Sequence, residues 1–274
     1  MSEFFLELFS EEIPANLQKS AREIILKNFK DFFEKENIHF AKCSSFSTPN
    51  RLGILFEEVD KEIIRKTEEI RGPNVSAPEK ALDGFLKSNK IEKKEVFIKN
   101  TDKGEFYFFK RPEKKIETAE LLEKNIKEIL DKTSWKKSMK WGEFSLAWAR
   151  PLKSILAIFY NRTLQFNYHQ LKSTNFTYVD KELEEKTKIF KDFKSYKDFF
   201  KSKNIILDHD LRKKFIKNEL EKQAKRKNLV VEIDDKLLEE VNNLVENPYV
   251  LTCKFDQKFL NIPKEILIIT MKHH

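Results

Sequence analysis

FFLELFSEEIPANLQKSAREIILKNFKDFF, residues 4–33, decides how the rest of the chain is read. Phe4 to Phe9 is a short, aromatic-rich apolar run that stops at a Ser-Glu-Glu-Ile-Pro turn, the pattern of a buried strand. Pro14 suits a first helical turn, and Leu17, Ala21, Ile25, Phe29 and Phe32 then recur every three to four residues, drawing one apolar stripe as far as Phe33. Two more strand patterns follow, His39 to Ser47 and Leu52 to Val59, parted by a Thr-Pro-Asn-Arg turn. The order strand, helix, strand, strand predicts an α+β fold of mixed or antiparallel sheet layers with packed helices, this helix lying on one sheet face.

Beyond Val59 the chain changes character. Residues 60–69 read as a charged connector, and Gly72-Pro73 ends whatever helix precedes it. Ala81 to Leu86 predicts a short helix, Glu95 to Asn100 and Glu105 to Lys110 a hairpin about Asp102-Lys103-Gly104, and Ile116 to Leu130 an amphipathic helix. Residues 61–133 are therefore expected as a helix and hairpin subdomain inserted in an N-terminal α+β domain of residues 1–60 and 134–180. There, Leu152 to Tyr160 and Leu164 to Tyr168 predict adjacent strands turning at Asn161-Arg162.

Residues 181–274 are expected as a third, helical or α+β segment that continues into further C-terminal domains. The stretch from Lys181 to Lys203 reads as helical, and Asp208 caps a helix with Leu211, Phe215, Leu220 and Ala224 inward and Arg212, Lys213, Lys217, Lys225 and Arg226 outward. A helix from Lys236 to Val245 turns Leu237, Leu238, Val241 and Leu244 inward, and Tyr249 to Phe255 alternates like a strand. Pro263 to Met271 starts a helix that reaches His273-His274 with no cap, glycine or polar tail, so truncation of a longer parent at the C-terminus is expected.

Of the 274 residues, 40% are hydrophobic and 36% charged, which is enough apolar material for real cores under a heavily ionised surface. A net charge of +8 favours a polyanionic partner, because clustered cations gain by releasing counterions condensed on phosphates. Cys43 and Cys253 stand in no metal-ligand spacing, so reduced thiols in a cytoplasmic protein are expected. No apolar run approaches a membrane span. There is no Gly-rich phosphate loop and no Ser-His-Asp or His-Cys arrangement, and His39, His169 and His209 are scattered; no catalytic residue and no metal site are expected.

Five stretches carry a family resemblance. FFLELFSEEIPA (residues 4–15) is similar to the opening of bacterial glycyl-tRNA synthetase beta subunits, and FSTPNRLGIL (46–55) resembles their Thr-Pro-Arg-Arg-Leu strand turn, with Asn50 replacing the first arginine. RGPNVS with ALDGFLKSN (71–89) resembles a Gly-Pro element and the Gly-Phe helix after it, and KKSMKWGEFSLAWARPLKSILAIF (136–159) a Lys-x-Met-Arg-Trp-Gly segment leading to an Arg-Pro strand. LLEEVNNLVENPYVLTCKFDQKFLNIPKEILIITMKHH (237–274) resembles a Leu-Val-Glu-x-Pro element running into Phe-Asp-x-x-Phe-Leu. Tyr178-Val179-Asp180-Lys181 departs from a Gly-His-Arg-Phe stretch, and Trp148-Ala149 stands where Phe-Val is usual.

The resemblance implies a subunit of an ATP-dependent glycine–tRNA ligase that binds and positions tRNA(Gly), while a separate alpha subunit holds ATP and Mg and makes the adenylate; no cofactor is expected in this chain. The rival is a free-standing RNA-binding protein. Lys136, Lys137, Lys140, Trp141 and Arg150 combine cations with an indole, which suits phosphate contact and base stacking; the other reading buries Trp141 as a core anchor. Lys225, Arg226 and Lys227 read as RNA contacts or as cations that complement a helix dipole, and Arg51 and Arg71 flank turns that suit an acceptor stem. Glu7, Glu11 and Glu12 read as dipole partners of the first helix, with Glu7 paired to Arg51 if their strands meet.

Overall fold

A computed structural model describes residues 2–65, 67–179 and 187–272. The chain opens with β1 (Glu3–Ser10), α1 (Ala15–Glu36), β2 (Lys42–Ser47) and β3 (Arg51–Glu57), as the opening stretch predicts. It forms two compact units, Met1–Asp60 with Leu122–His274, and Lys61–Leu121.

In the 61–121 unit the structure departs from a charged connector. Glu62-Ile-Ile-Arg is β4 (Glu62–Arg65), and β5 (Glu68–Asn74) runs straight through Gly72-Pro73. A bulge between Arg71 and Asn74 lets proline sit in a strand, since the ladder bond it cannot donate is absent there. Next come α2 (Glu79–Asn89), β6 (Val96–Thr101), β7 (Gly104–Arg111) and β8 (Lys114–Glu117). The expected hairpin is β6–β7, and β5 adds to its other side in the order β5-β7-β6. The strand β8 takes the first residues of the helix expected from Ile116, because Ile116 pairs with Ile63 across β4–β8 and a Glu62–Lys115 ion pair of 2.8 Å supports the ladder.

The first unit resumes through α3 (Thr118–Asp131), then β9 (Leu152–Phe159), β10 (Arg162–Thr163), β11 (Asn167–Tyr168), β12 (Leu171–Thr174), β13 (Phe176–Tyr178), β14 (Thr187–Ile189), α4 (Phe193–Ser202), α5 (His209–Arg226), α6 (Asp235–Leu244) and α7 (Lys264–Lys272). The main sheet runs β11-β12-β9-β1-β3-β2, with β10 beside β9. All pairs are antiparallel except β12 with β9, so the sheet is mixed. Tyr160 and Asn161 both have positive φ, and the hairpin turns on them, one residue before the expected Asn161-Arg162.

Strand β1 is buried along its whole length because both faces are covered, which is why it reads as a continuous apolar run rather than an alternation. Phe4 turns to α1, 5.3 Å from the Phe29 ring, and Phe33 meets Phe56 at 4.7 Å. Phe5 turns the other way, into a core of Phe46, Leu55, Leu156, Ile158 and the α4 residues Tyr196 and Phe200. The sequence predicted a helix on one face and the structure adds α4 on the other. Of the stretch expected as helical from Lys181, residues 181–186 lie outside the described residues and 187–189 are strand β14.

Helices α5 and α6 depart in part from their predicted faces, although Ala224 and Leu238 are buried as expected. Asp208 caps α5 as expected, accepting from the N–H of Asp210 and Leu211. The buried residues are Arg212, Ile216 and Ala224, whereas Leu211 is 57% and Phe215 41% exposed. Arg212 turns inward because four carbonyls need a donor: its guanidinium serves Asn242 O at 2.9 Å, Ile206 O at 2.5 Å, Leu207 O at 3.2 Å and Ser47 O at 2.9 Å. On α6, Leu238, Asn242 and Asn243 are buried while Val241 and Leu244 are exposed. Asn243 O accepts from Gln18 of α1 at 2.6 Å, so amide chemistry rather than the apolar stripe docks this helix. The apolar edges left over line a cavity of about 390 Å³ with Ile216, Leu220, Leu237, Val241 and Tyr249. Tyr249 to Phe255, expected as a strand, pairs with no strand among the described residues.

Candidate nucleic-acid interface

Between α3 and β9 the chain makes a loop closed by two backbone bonds, Met139 N–H to Trp148 O at 2.8 Å and Trp148 N–H to Met139 O at 3.1 Å. Trp148 anchors it: the indole is buried, 4.8 Å from the Trp135 ring and 6.2 Å from Tyr168, with Leu146 and Ala149 buried beside it. Ser145 Oγ lies 3.2 Å from Nδ1 of His169, whose Nε2 lies 3.7 Å from Asp131, which ties the returning arm to the turn after β11 and to the end of α3.

On this base the outgoing arm presents charge. Lys136, Lys137 and Lys140 are exposed, and among the described residues none of them stands in a salt bridge. Trp141 is half-buried, Phe144 is 45% exposed, and Gly142 between them adopts φ +56°, a turn geometry that costs other residues strain. Arg150 is exposed, with Nη1 bound to Ala149 O at 3.1 Å. The arrangement places cations and two accessible rings on one anchored loop. The buried core indole is thus Trp148, not Trp141.

The other sequence candidates lie elsewhere. Lys225 and Arg226 are exposed in the last turn of α5, and Lys227 is its C-cap, its N–H donating to Ala224 O at 3.0 Å; the helix dipole alone accounts for cations there. Arg71 belongs to the 61–121 unit, where its guanidinium lies 3.5 Å over the Phe106 ring.

Arg51 is not available to RNA, being only 2% exposed. Its Nη1 meets Glu246 Oε1 at 2.6 Å, Nη2 donates to Tyr178 O at 2.6 Å, and the guanidinium is held between Phe9 at 4.8 Å and Phe200 at 4.6 Å. Glu7 does meet it, at 3.5 Å from Nε, because Arg51 pairs with Phe9 and so lies on the same face as Glu7, diagonally across β1–β3. The two contacts differ in kind. Burial pushes the Glu7 carboxyl above its ordinary range despite Arg51, and the Tyr196 hydroxyl donates to it, so Glu246 is the true counter-charge. Burial opposes the charge on Arg51, but Glu246, Tyr196 and Glu7 carry its pKa above the usual value. Glu246 also accepts from Thr48 at 2.5 Å. Sequence reading overlooked Glu246 and Tyr196, because nothing local to positions 196 and 246 shows that they meet position 51.

Asp208, His209 and Asp210 bring three possible metal ligands within 4.8 Å of one another, but Asp208 is already committed to capping α5. No helix of the described residues is long and apolar enough to cross a membrane.

Several stretches that carry the resemblance therefore meet in space: the opening strand supplies Glu7, the strand turn Arg51, and the Leu-Val-Glu-x-Pro element Glu246. Comparison of whole sequences agrees. The chain is 39% identical over 274 residues to the glycine–tRNA ligase beta subunit of Rickettsia akari and 40% identical to that of Rickettsia prowazekii. Each match covers 100% of this chain and 41% of the relative, so the chain spans about 41% of the length of these relatives. The sequence model described as glycyl-tRNA synthetase beta subunit matches residues 4–274, and the chain belongs to that family.

Proposed function

We propose that this chain is the tRNA-handling part of a cytoplasmic glycine–tRNA ligase that converts ATP, glycine and tRNA(Gly) to glycyl-tRNA, AMP and diphosphate. In this reading an alpha subunit binds ATP and Mg and makes the adenylate. This chain docks on that subunit and holds the tRNA so that its end meets the activated glycine. Holding a reactant in place lowers the entropic barrier without supplying a reacting group, which accords with the structural use made of Glu7 and Arg51.

The observation that carries the reading is the 136–150 loop, with its lysines exposed, without acidic partners among the described residues, and anchored by a buried indole. Such cations gain by displacing counterions from phosphates, and accessible rings add stacking. The test is equilibrium binding of tRNA(Gly) at several salt concentrations to the chain and to its Lys136→Glu/Lys140→Glu variant. Reversal of two charges is expected to weaken binding about ten-fold or more at low salt and to reduce the salt slope by about 2. Unchanged affinity and slope would remove the loop from the interface. Co-purification with a glycyl-tRNA synthetase alpha subunit tests the docking.

A further inference from the structure

The β5-β7-β6 sheet of the 61–121 unit has two unlike faces. Directly paired residues share a face, so Arg71, Phe108 and Phe97 lie together, as do Phe106 and Lys99 one step along. Gly72, in the bulge across from Tyr107, lies on the opposite face. A Cβ there would come within 2.9 Å of the Phe85 ring, so α2 packs on that side.

The Arg71 face remains accessible and mixes rings with cations. Phe97 is 38% exposed and stacks on Phe108 with centroids 6.1 Å apart and planes 26° from parallel. The Arg71 guanidinium lies 3.5 Å over Phe106, and Lys99 Nζ lies 5.6 Å over Phe108. Lys110 adds a third cation to the same face, and Glu69 lies there too, bound to Lys99 at 2.7 Å. An apolar protein partner would bury Arg71 and Lys110 in addition to the Lys99–Glu69 pair, at a high desolvation cost. Unpaired nucleotides meet both demands, because each offers a flat π-face to Phe97 or to the Arg71–Phe106 stack and a phosphate to the cations.

Resting on the tRNA-binding reading above, we propose that this sheet face is a stacking platform for unpaired nucleotides of RNA. It is a second contact surface, in a different compact unit from the 136–150 loop.

The experiment measures fluorescence anisotropy of a labelled single-stranded RNA dodecamer of uridines, and of an RNA duplex of equal length, with the complete chain at low salt. Phe97→Ala is expected to weaken single-strand binding between about five-fold and about a hundred-fold while changing duplex binding less than two-fold, and Phe97→Tyr to restore it. Matching circular dichroism and thermal midpoints confirm that the variants fold. Equal losses for single strand and duplex, or no loss in Phe97→Ala and in Arg71→Ala alike, overturn the platform. If those variants bind normally while Lys136→Glu/Lys140→Glu loses tRNA(Gly), the platform fails and the functional reading stands. If the unaltered chain binds neither RNA nor tRNA(Gly), both fail.

Discussion

Replacing Arg51 by methionine tests whether this residue holds the first unit together. The substitution keeps an apolar stem of similar reach between Phe9 and Phe200 but removes the cation. Glu246 then loses its partner at 2.6 Å, and Tyr178 O loses its donor. Breaking a buried ion pair by removing one member costs about 3–5 kcal/mol, against about 5–15 kcal/mol for a whole domain. Glu7 moderates the loss, since burial already favours its neutral form and departure of Arg51 favours it further. The folded variant therefore keeps this proton to higher pH than the unfolded chain does. Its deficit relative to the unaltered chain is largest near pH 7 and shrinks as pH falls toward the ordinary carboxylate range. Urea unfolding of both proteins at pH 7 and pH 4.5 measures this. A deficit below about 1 kcal/mol at pH 7, or one that is equal at both pH values, refutes the assignment of Arg51 as a buried counter-charge.

Glu7→Gln keeps an acceptor for Tyr196 and removes the penalised charge. The raised folded pKa means that wild-type stability falls as pH rises, so the variant is expected to equal or exceed wild type at pH 7 and to match it near pH 4, read from urea midpoints. Gly53→Ala is expected to lose about 1–3 kcal/mol in the same assay, because a Cβ would lie 2.1 Å from Cζ of the buried Phe46 ring. Asp192 caps α4 by accepting from Ser195 N–H at 2.6 Å, and that bond holds its carboxyl below the usual range. Asp192→Ala should therefore cost about 1 kcal/mol at neutral pH. That cost is lost as pH falls through the depressed folded value, and a constant deficit down to pH 2 would contradict the cap.

Residues 4–33 determined the opening of the fold by themselves, because an apolar run bounded by a turn and an apolar repeat every three to four residues are local patterns with a single satisfactory packing. The Asp208 cap and the β6–β7 hairpin were legible for the same reason: a capping side chain and an Asp-Lys-Gly turn act on their immediate neighbours. The family resemblance was likewise carried by letters in order. Local pattern misled where a distant partner set the orientation. Arg212 faces inward for carbonyls of Ser47 and Asn242, and α6 docks through Asn243, so the apolar stripes of α5 and α6 point partly to solvent. Gly72-Pro73 stands inside a strand only because β7 lies alongside to accommodate the bulge. Among the candidate cations, sequence could not distinguish the accessibility of Arg51 from that of Lys136, since both are charges offered as RNA contacts. Tertiary structure decided between them by placing Glu246, 195 positions away, against one and no described acid against the other. Charge type is written at each position, but desolvation and pairing depend on what the folded chain brings to it.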